Sequence, residues 1–473
     1  MTKKFYVKKT SNKVKGGNEV KEALSVDQNT VTSRAKLSIS EKLSYGAGDI
    51  ASNFVWGMVT SYLLFFYTDI FGITAAAAGT LFLVTRIWDA VNDPIMGIII
   101  DKTKSKHGKA RPYLLWFPIP LAIIGTLTFI TPDFSYTGKL IYAYVTYTLL
   151  GMIYTAINLP YGALMTRMTR NSGEKGELNS YRGIGRTIGA IAISALVLPL
   201  ASFFGNGNQQ VGFPITMGLF SVISIFLFWI TFKYCKERID EPPSQNTKVT
   251  KSIVNLFKNK YWIIIALSTI FWFLRQGVMN TALIYYVTYY LEQPGKTPLY
   301  LTLLNLASFV GALAALFVLK RWGSKNTSII SYALATVLLI FIFMMGESAG
   351  PLFIALFFLA NILIGFGDPA NLTMLAETID YHEWKFGERV EGLLFSGYSF
   401  ALKLGVALGS AFVGFALAWA GYDPAAITSE ATNMIRIVTF GIPIFLTAAQ
   451  VIILMFYKLE KFHPKIIREL VEE

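Results

Sequence analysis

The sequence predicts an all-α integral membrane protein of twelve transmembrane helices, and three observations predict it. Of its 473 residues 53% are hydrophobic and 15% charged, with a mean hydropathy of +0.49, a composition suited to lipid rather than water. Twelve apolar stretches, each near the ~20 residues that cross a hydrocarbon core, fall near 44–71, 75–100, 112–131, 138–166, 180–204, 211–235, 259–291, 298–319, 326–345, 351–376, 393–420 and 434–457. The loops alternate in charge. Those after spans 2, 4, 6, 8 and 10 hold Lys102, Lys104, Lys106, Lys109, Arg111, Arg167, Arg170, Lys175, Lys236, Arg238, Lys320, Arg321, Lys325, Lys385 and Arg389, whereas Lys139 and Lys296 fall in the opposite loops. Basic loops stay in the cytoplasm, so both termini are expected there. The net charge of +13 therefore reads as membrane orientation and not as nucleic-acid recognition.

The first forty residues are polar and rich in lysine (Lys3, Lys4, Lys8, Lys9, Lys13, Lys15, Lys21) and lack the short apolar core of a secretory signal; residues 1–41 read as a disordered basic tail. On the first span, Asp49, Asn53 and Trp56 recur at one-turn intervals. The second span contains RIWDAVNDP (86–94), with Arg86, Asp89 and Asp93 at i, i+3 and i+7 on one face, while Leu81, Leu83, Ile95 and Ile98 suit lipid or neighbouring helices. An ionisable group at that depth costs ~2.5–3.5 kcal/mol on insertion scales, so such groups face a wet cavity or bind a cation. Charge there points to transport.

The fourth and tenth spans echo each other: Asn158-Leu159-Pro160 precedes Met165, and Asp368-Pro369-Ala370 precedes Met374. After the sixth span a polar stretch with Pro242, Pro243, Ser244 and Gln245 divides the chain into bundles at 42–236 and 258–458, joined by a linker at 237–257 and followed by a tail at 459–473. That six-plus-six layout resembles the major facilitator fold, in which two bundles rock about a midplane site. The loop after span 2, with Asp101, Lys102, Lys109 and Arg111, resembles the gating loop of that fold. Glu377 and Asp380, at the end of span 10, read as its second-half counterpart, since charged groups at helix ends are usually solvated or paired. The lone cysteine, Cys235, excludes an intramolecular disulfide, and His107, His382 and His463 make no metal or nucleophile constellation. The chain reads as a non-enzyme.

The motifs KLSYGAGD (42–49), YTDIFGI (67–73), GTLFLVTRIWDAVNDPIMG (79–97), GKARP (108–112), YTAINLPYGAL (154–164) and AETIDYHEWK (376–385) resemble the glycoside-pentoside-hexuronide:cation symporter family over nearly all of residues 42–460. The resemblance implies a cation site at Asp89, Asn92, Asp93 and Thr155, taking Na⁺ at Asp89 and Asp93 or H⁺, and no resident cofactor. Two carboxylates, an amide and a hydroxyl suit either ion. It also implies sugar contacts at Arg182, Lys403, Tyr154 and Ser399, with Asp49 and Trp56 as added candidates.

Where galactoside-carrying members have aspartates, this chain has Asn53 and Asn158, and where they have tryptophans it has Gly162 and Asp368. An amide still bonds sugar hydroxyls but neutralises no cation, which leaves Arg182 and Lys403 less compensated unless Asp49, Asp368 or Glu377 pairs with them. Pentosides and hexuronides are therefore both expected substrates, with xylosides slightly ahead, imported across a bacterial inner membrane. A lysolipid transporter on the same fold and a sugar sensor are the alternatives.

Overall fold

The computed structural model describes residues 36–239, 249–346, 350–388 and 390–472. Ser40–Glu473 form one compact unit; Met1–Ile39 count as another, of which residues 36–39 are described. The basic tail, Arg389 and the side chain of Asp101 lie outside the described residues. Among the described residues the regular structure is entirely helical.

We number the helical segments in chain order. α1 (Ile39–Phe65) continues as a π-helical turn, Phe66–Phe71. α2 (Ala75–Lys102) starts where the Thr74 hydroxyl accepts the Ala77 N–H at 3.3 Å, an N-cap that satisfies an otherwise orphaned donor. α3 comes in two pieces, Arg111–Trp116 and Pro118–Thr128, and α4 (Tyr136–Met168) is capped by Ser135. α5 (Ser172–Gly205) starts at Asn171, whose side chain accepts from Gly173 and Glu174. α6 spans Gln209–Tyr234. α7 (Lys260–Tyr285) also widens, at Tyr286–Tyr290. α8 (Thr297–Trp322) and α9 (Ser324–Met344) follow. α10 is broken at Phe366 into Pro351–Gly365 and Gly367–Phe386, and α11 spans Glu391–Trp419. α12 runs through Ser429–Arg436, a third π-helical turn at Ile437–Gly441, and Ile442–Met455.

Among the described residues ten helices are long and apolar enough to cross a membrane, not twelve. The two that fall short have physical reasons. Arg86, Asp89 and Asp93 dilute the apolar character of α2, and Pro118 and Pro120 break α3 into pieces, proline having no N–H to donate and clashing with the preceding turn. The expected linker and tail also hold structure. Val249–Lys258 is a short helix whose Leu256 is buried, and Leu459–Glu472 is a helix whose Leu459 and Ile466 join the core of the second half. Both are too polar for a hydropathy scan, because only one face is apolar.

Helices cross where glycine lets backbones touch. A Cβ on Gly185 of α5 would sit 2.2 Å from the Gly46 carbonyl oxygen of α1, and one on Gly311 of α8 would sit 2.0 Å from the Ile362 carbonyl oxygen of α10. α2 meets α11 the same way: a Cβ on Gly414 would fall 2.9 Å from the Ala75 carbonyl oxygen. Between lipid-facing helices, packing of small residues replaces the hydrophobic drive available in water.

Two ends of the bundle differ. At the end bearing the basic loops, Glu237 accepts the backbone N–H groups of Lys109, Ala110 and Arg111 at 3.0, 2.8 and 3.1 Å, and the Arg111 guanidinium donates to the Phe232 carbonyl at 2.7 Å. Gly108 has φ +99°, and any Cβ there would strike the Glu237 carboxylate, so only glycine suits this turn. Glu377 accepts the Tyr457 hydroxyl at 2.7 Å, and Asp380 meets His463 at 2.9 Å. Each of these contacts stays within the first six helices or within the last six and its C-terminal helix. At the opposite end the two sets are joined: Thr68 meets Tyr285 at 2.8 Å, and Asp69 accepts the hydroxyls of Tyr289 and Tyr422, the latter at 2.8 Å.

Cys235 lies just beyond α6, fully buried, with its thiol directed at the Glu41 carbonyl. Burial pushes that thiol up to about 12, and only the thiolate attacks electrophiles. N-ethylmaleimide at pH 7.5 is therefore expected to leave the folded protein unlabelled and to modify it stoichiometrically in sodium dodecyl sulfate, as read by intact mass. Rapid labelling of the folded chain would contradict the burial.

Candidate functional site

The polar face of α2 is central. Arg86 reaches Asp89 at 3.0 Å, one turn along the same helix. Asp93 pairs with Lys403 of α11 and accepts the Thr155 hydroxyl of α4 at 3.1 Å. Three helices thus converge on one carboxylate. Asn92 is buried and its side-chain nitrogen has no hydrogen-bond partner among the described residues, and the Asp89 carboxylate packs against the bare backbone of Gly151, 3.2 Å from where a Cβ would stand. Of the four residues the resemblance implied, Asp93 and Thr155 are in contact, Asp89 and Asn92 lie within one turn of Asp93 on the same helix, and both carboxylates are already paired to protein cations.

An aromatic pair links this cluster to a second one. Trp56 stacks on Tyr154 with ring centroids 4.4 Å apart, and the Arg86 guanidinium lies 5.2 Å from the Trp56 ring. Beyond them, on α1 and α5, Arg182 donates to Asp49 at 2.7 Å. Tyr161 supports the pair: its hydroxyl donates to the Tyr45 carbonyl at 2.5 Å and lies 3.3 Å from Asp49, and its ring lies 4.9 Å under the Arg182 guanidinium. Asn53 donates to the Asp49 carbonyl at 2.9 Å. Asn158 is half-buried one turn beyond Tyr154, and Ser399 is exposed one turn before Lys403.

The expected undercompensation of Arg182 and Lys403 is corrected by these contacts. Asp49 neutralises the first and Asp93 the second. Asp368 serves a residue that the sequence reading passed over, Arg186, which donates to it at 3.1 Å across from α5 to α10, while Tyr398 donates to its other oxygen at 3.1 Å. Arg186 follows Arg182 by one turn, so the i, i+4 spacing was the available signal; its partner on a distant helix was not. Glu377 lies with Tyr457 and is not drawn to either cation. Among the described residues no group of three or more His, Cys, Asp or Glu gathers as a metal site.

A narrow crevice between α1, α2, α4, α7 and α11 extends from Arg86 past Thr60, Thr281 and Ser410 toward the end opposite the basic loops. It closes there: Thr281 bonds Ser410 at 3.1 Å and reaches the Thr60 carbonyl at 3.4 Å.

Comparison with known proteins shows the family. The chain matches the family described as MFS/sugar transport protein over residues 44–461. It is 37% identical over 408 residues to the inner membrane symporter YicJ of Escherichia coli strain K12, covering 86% of this chain and 88% of that one. It is 34% identical over 436 residues to the isoprimeverose transporter of Lactiplantibacillus pentosus, covering 91% of each. A third relative, the glucuronide carrier protein homolog of Escherichia coli strain K12, is 30% identical over 433 residues, covering 90% and 93%. Among solved structures, the nucleoside transporter NupG superposes with a TM-score of 0.58 at 16% identity, over 88% of this chain and all of that one, a likeness of fold alone. These relatives are membrane transporters and not enzymes, and the chain belongs to the MFS sugar transport family.

Proposed function

We propose that this carrier imports a neutral glycoside of the xyloside class in symport with H⁺ or Na⁺ across a bacterial inner membrane, its termini and basic loops in the cytoplasm. The observation that carries the substrate reading is the pairing of every candidate sugar-contacting cation: Arg182 with Asp49, Lys403 with Asp93, and Arg186 with Asp368. A floor already neutral suits an uncharged sugar, since a uronide carboxylate would have to displace an internal one and strand it in low dielectric. The isoprimeverose transporter among the relatives supports the same class. Trp56 and Tyr154 offer an aromatic face, and Asn53 and Asn158 the amides that bond sugar hydroxyls.

The mechanism follows from charge. Lys403 stands at Asp93 as an internal stand-in for the coupling cation. When H⁺ or Na⁺ reaches Asp89, Asn92, Asp93 and Thr155, Lys403 is released from Asp93, and the sugar binds between the two six-helix halves against Trp56, Tyr154, Asn53 and Asn158. The polar links between the halves at the end away from the basic loops support a form open to the cytoplasm, in which Lys102, Lys109, Arg111, Glu377 and Asp380 are apart from their counterparts in the other half. The return stroke closes this end and parts Asp69 from Tyr289 and Tyr422.

Proteoliposomes holding the purified carrier test this with labelled xyloside, glucuronide and galactoside under imposed H⁺ or Na⁺ gradients. Uphill accumulation of the xyloside in one gradient, with little of the others, is the expected result. Preferential accumulation of the glucuronide would overturn the neutral-substrate reading. No gradient-driven uptake of any sugar would overturn symport and bring lysolipid transport forward.

A further inference from the structure

Among the described residues eight charged side chains along the middle of the helices form four pairs, Arg86 with Asp89, Lys403 with Asp93, Arg182 with Asp49, and Arg186 with Asp368, and a ninth stands apart from them. The ninth is Arg275 of α7. It has no exposed surface, and its Nε, Nη1 and Nη2 have no hydrogen-bond partner among the described residues. A guanidinium presents five donors and accepts nothing, so it cannot be satisfied by another donor. In a low-dielectric interior an unpaired cation is among the costliest arrangements a fold can keep.

The surroundings of Arg275 are built from aromatic and amide groups, with no carboxylate paired to it among the described residues. Its guanidinium lies 5.6 Å from the Trp272 ring, one turn earlier on α7. The Trp272 indole nitrogen is spent on the Ile364 carbonyl at 3.2 Å. The titratable group facing Arg275 is the hydroxyl of Tyr332 on α9, which also stands beside the Gln450 side chain and within reach of the Asp368 charge; it is fully buried, and among the described residues no hydrogen bond of good geometry reaches it. Gly367, at the break in α10, presses on both neighbours: a Cβ there would fall 1.8 Å from the Tyr332 oxygen and 2.8 Å from the Trp272 nitrogen. Gln450 of α12 turns its amide nitrogen away, to the Ser268 carbonyl at 3.0 Å.

We propose that Arg275 and Tyr332 hold a small monovalent inorganic anion, of chloride size, inside the second half of the carrier. The donors are those such an ion needs, a charged fork on one side and a phenolic O–H on the other, and Trp272 and Tyr332 belong to the buried apolar core of the second half. Because Gly367 abuts the Tyr332 hydroxyl, the ion sits beside the break that precedes Asp368. It neutralises Arg275 and steadies the two pieces of α10 against α7 and α9. The anion is resident, distinct from the transported sugar, and its presence does not depend on which sugar is carried.

The test uses the full chain in detergent and bromide as the probe. Thermal unfolding is followed in sodium bromide and in sodium gluconate at equal ionic strength, and crystals grown in bromide are measured at the bromine absorption edge. The expected results are a higher Tm in bromide, an anomalous peak between Arg275 and Tyr332, and loss of the bromide response in Arg275→Met. Tyr332→Phe keeps the volume and removes one hydrogen bond to a charged group; it is expected to weaken the bromide response about tenfold and serves should Arg275→Met fail to fold. A wild-type protein indifferent to bromide, with no anomalous peak at Arg275, would overturn the proposal in favour of buried water. A Tm raised through Arg275 by methyl glucuronide and not by bromide would overturn it in favour of a substrate carboxylate.

Discussion

Asp93→Asn is expected to abolish gradient-driven accumulation while leaving exchange of sugar across the membrane. Asp93 is where Lys403 of α11, Thr155 of α4 and the polar face of α2 meet, so it senses both halves at once. The amide keeps the size and can still accept the Thr155 hydroxyl, but it offers Lys403 no charge and a cation no counter-charge. The released ammonium then mimics the cation-loaded form permanently. Sugar affinity should become indifferent to the cation, a loss of the whole coupling free energy, typically about 1–3 kcal/mol or roughly 5–150-fold in affinity. Counterflow of labelled sugar and gradient-driven uptake are to be measured side by side on the same proteoliposomes. Uphill uptake that survives in the variant would remove Asp93 from the coupling step.

Gly185→Leu is expected to destroy transport and lower thermal stability, whereas Gly183→Leu, two residues away on the same helix, should do neither. A Cβ on Gly185 meets the Gly46 carbonyl oxygen at 2.2 Å and its carbon at 3.0 Å, both backbone atoms that cannot rotate aside. α5 must then move away from α1, and with it Arg182, whose 2.7 Å bond to Asp49 bridges the same crossing. At Gly183 nothing lies within 4 Å of the added atom. Overpacking of this kind costs about 1–3 kcal/mol when it can be absorbed and more when it cannot. Tm in detergent together with initial uptake rate reads both effects, and equal behaviour of the two variants would show that the crossing is not tight.

Much of this architecture is legible from residue pattern alone. The i, i+3, i+7 spacing of Arg86, Asp89 and Asp93 places them on one face, because helical periodicity is a local property. Thr155 at Asp93 came from resemblance, and the geometry brings the two together. What remained hidden was partnership between distant helices. Nothing in the sequence around Asp368 names Arg186, and nothing around Arg182 distinguishes Asp49 from Glu377 as its counter-charge. Hydropathy found α2 and α3 but passed over Val249–Lys258 and Leu459–Glu472, whose apolar stripe is too narrow for a window average.

The three π-helical turns, Phe66–Phe71, Tyr286–Tyr290 and Ile437–Gly441, give α1, α7 and α12 a degree of freedom that a regular helix lacks. A wide turn holds one residue more than its neighbours and can migrate along the axis by exchanging one hydrogen bond for the next. Each step turns the intervening residue by about 100° while the rest of the rod keeps its heading. Asp69 and Tyr289 both lie on such turns. The contact between α1 and α7 can therefore be made or broken by local rewinding at the helix tips, without tilting two thirty-residue rods against the lipid.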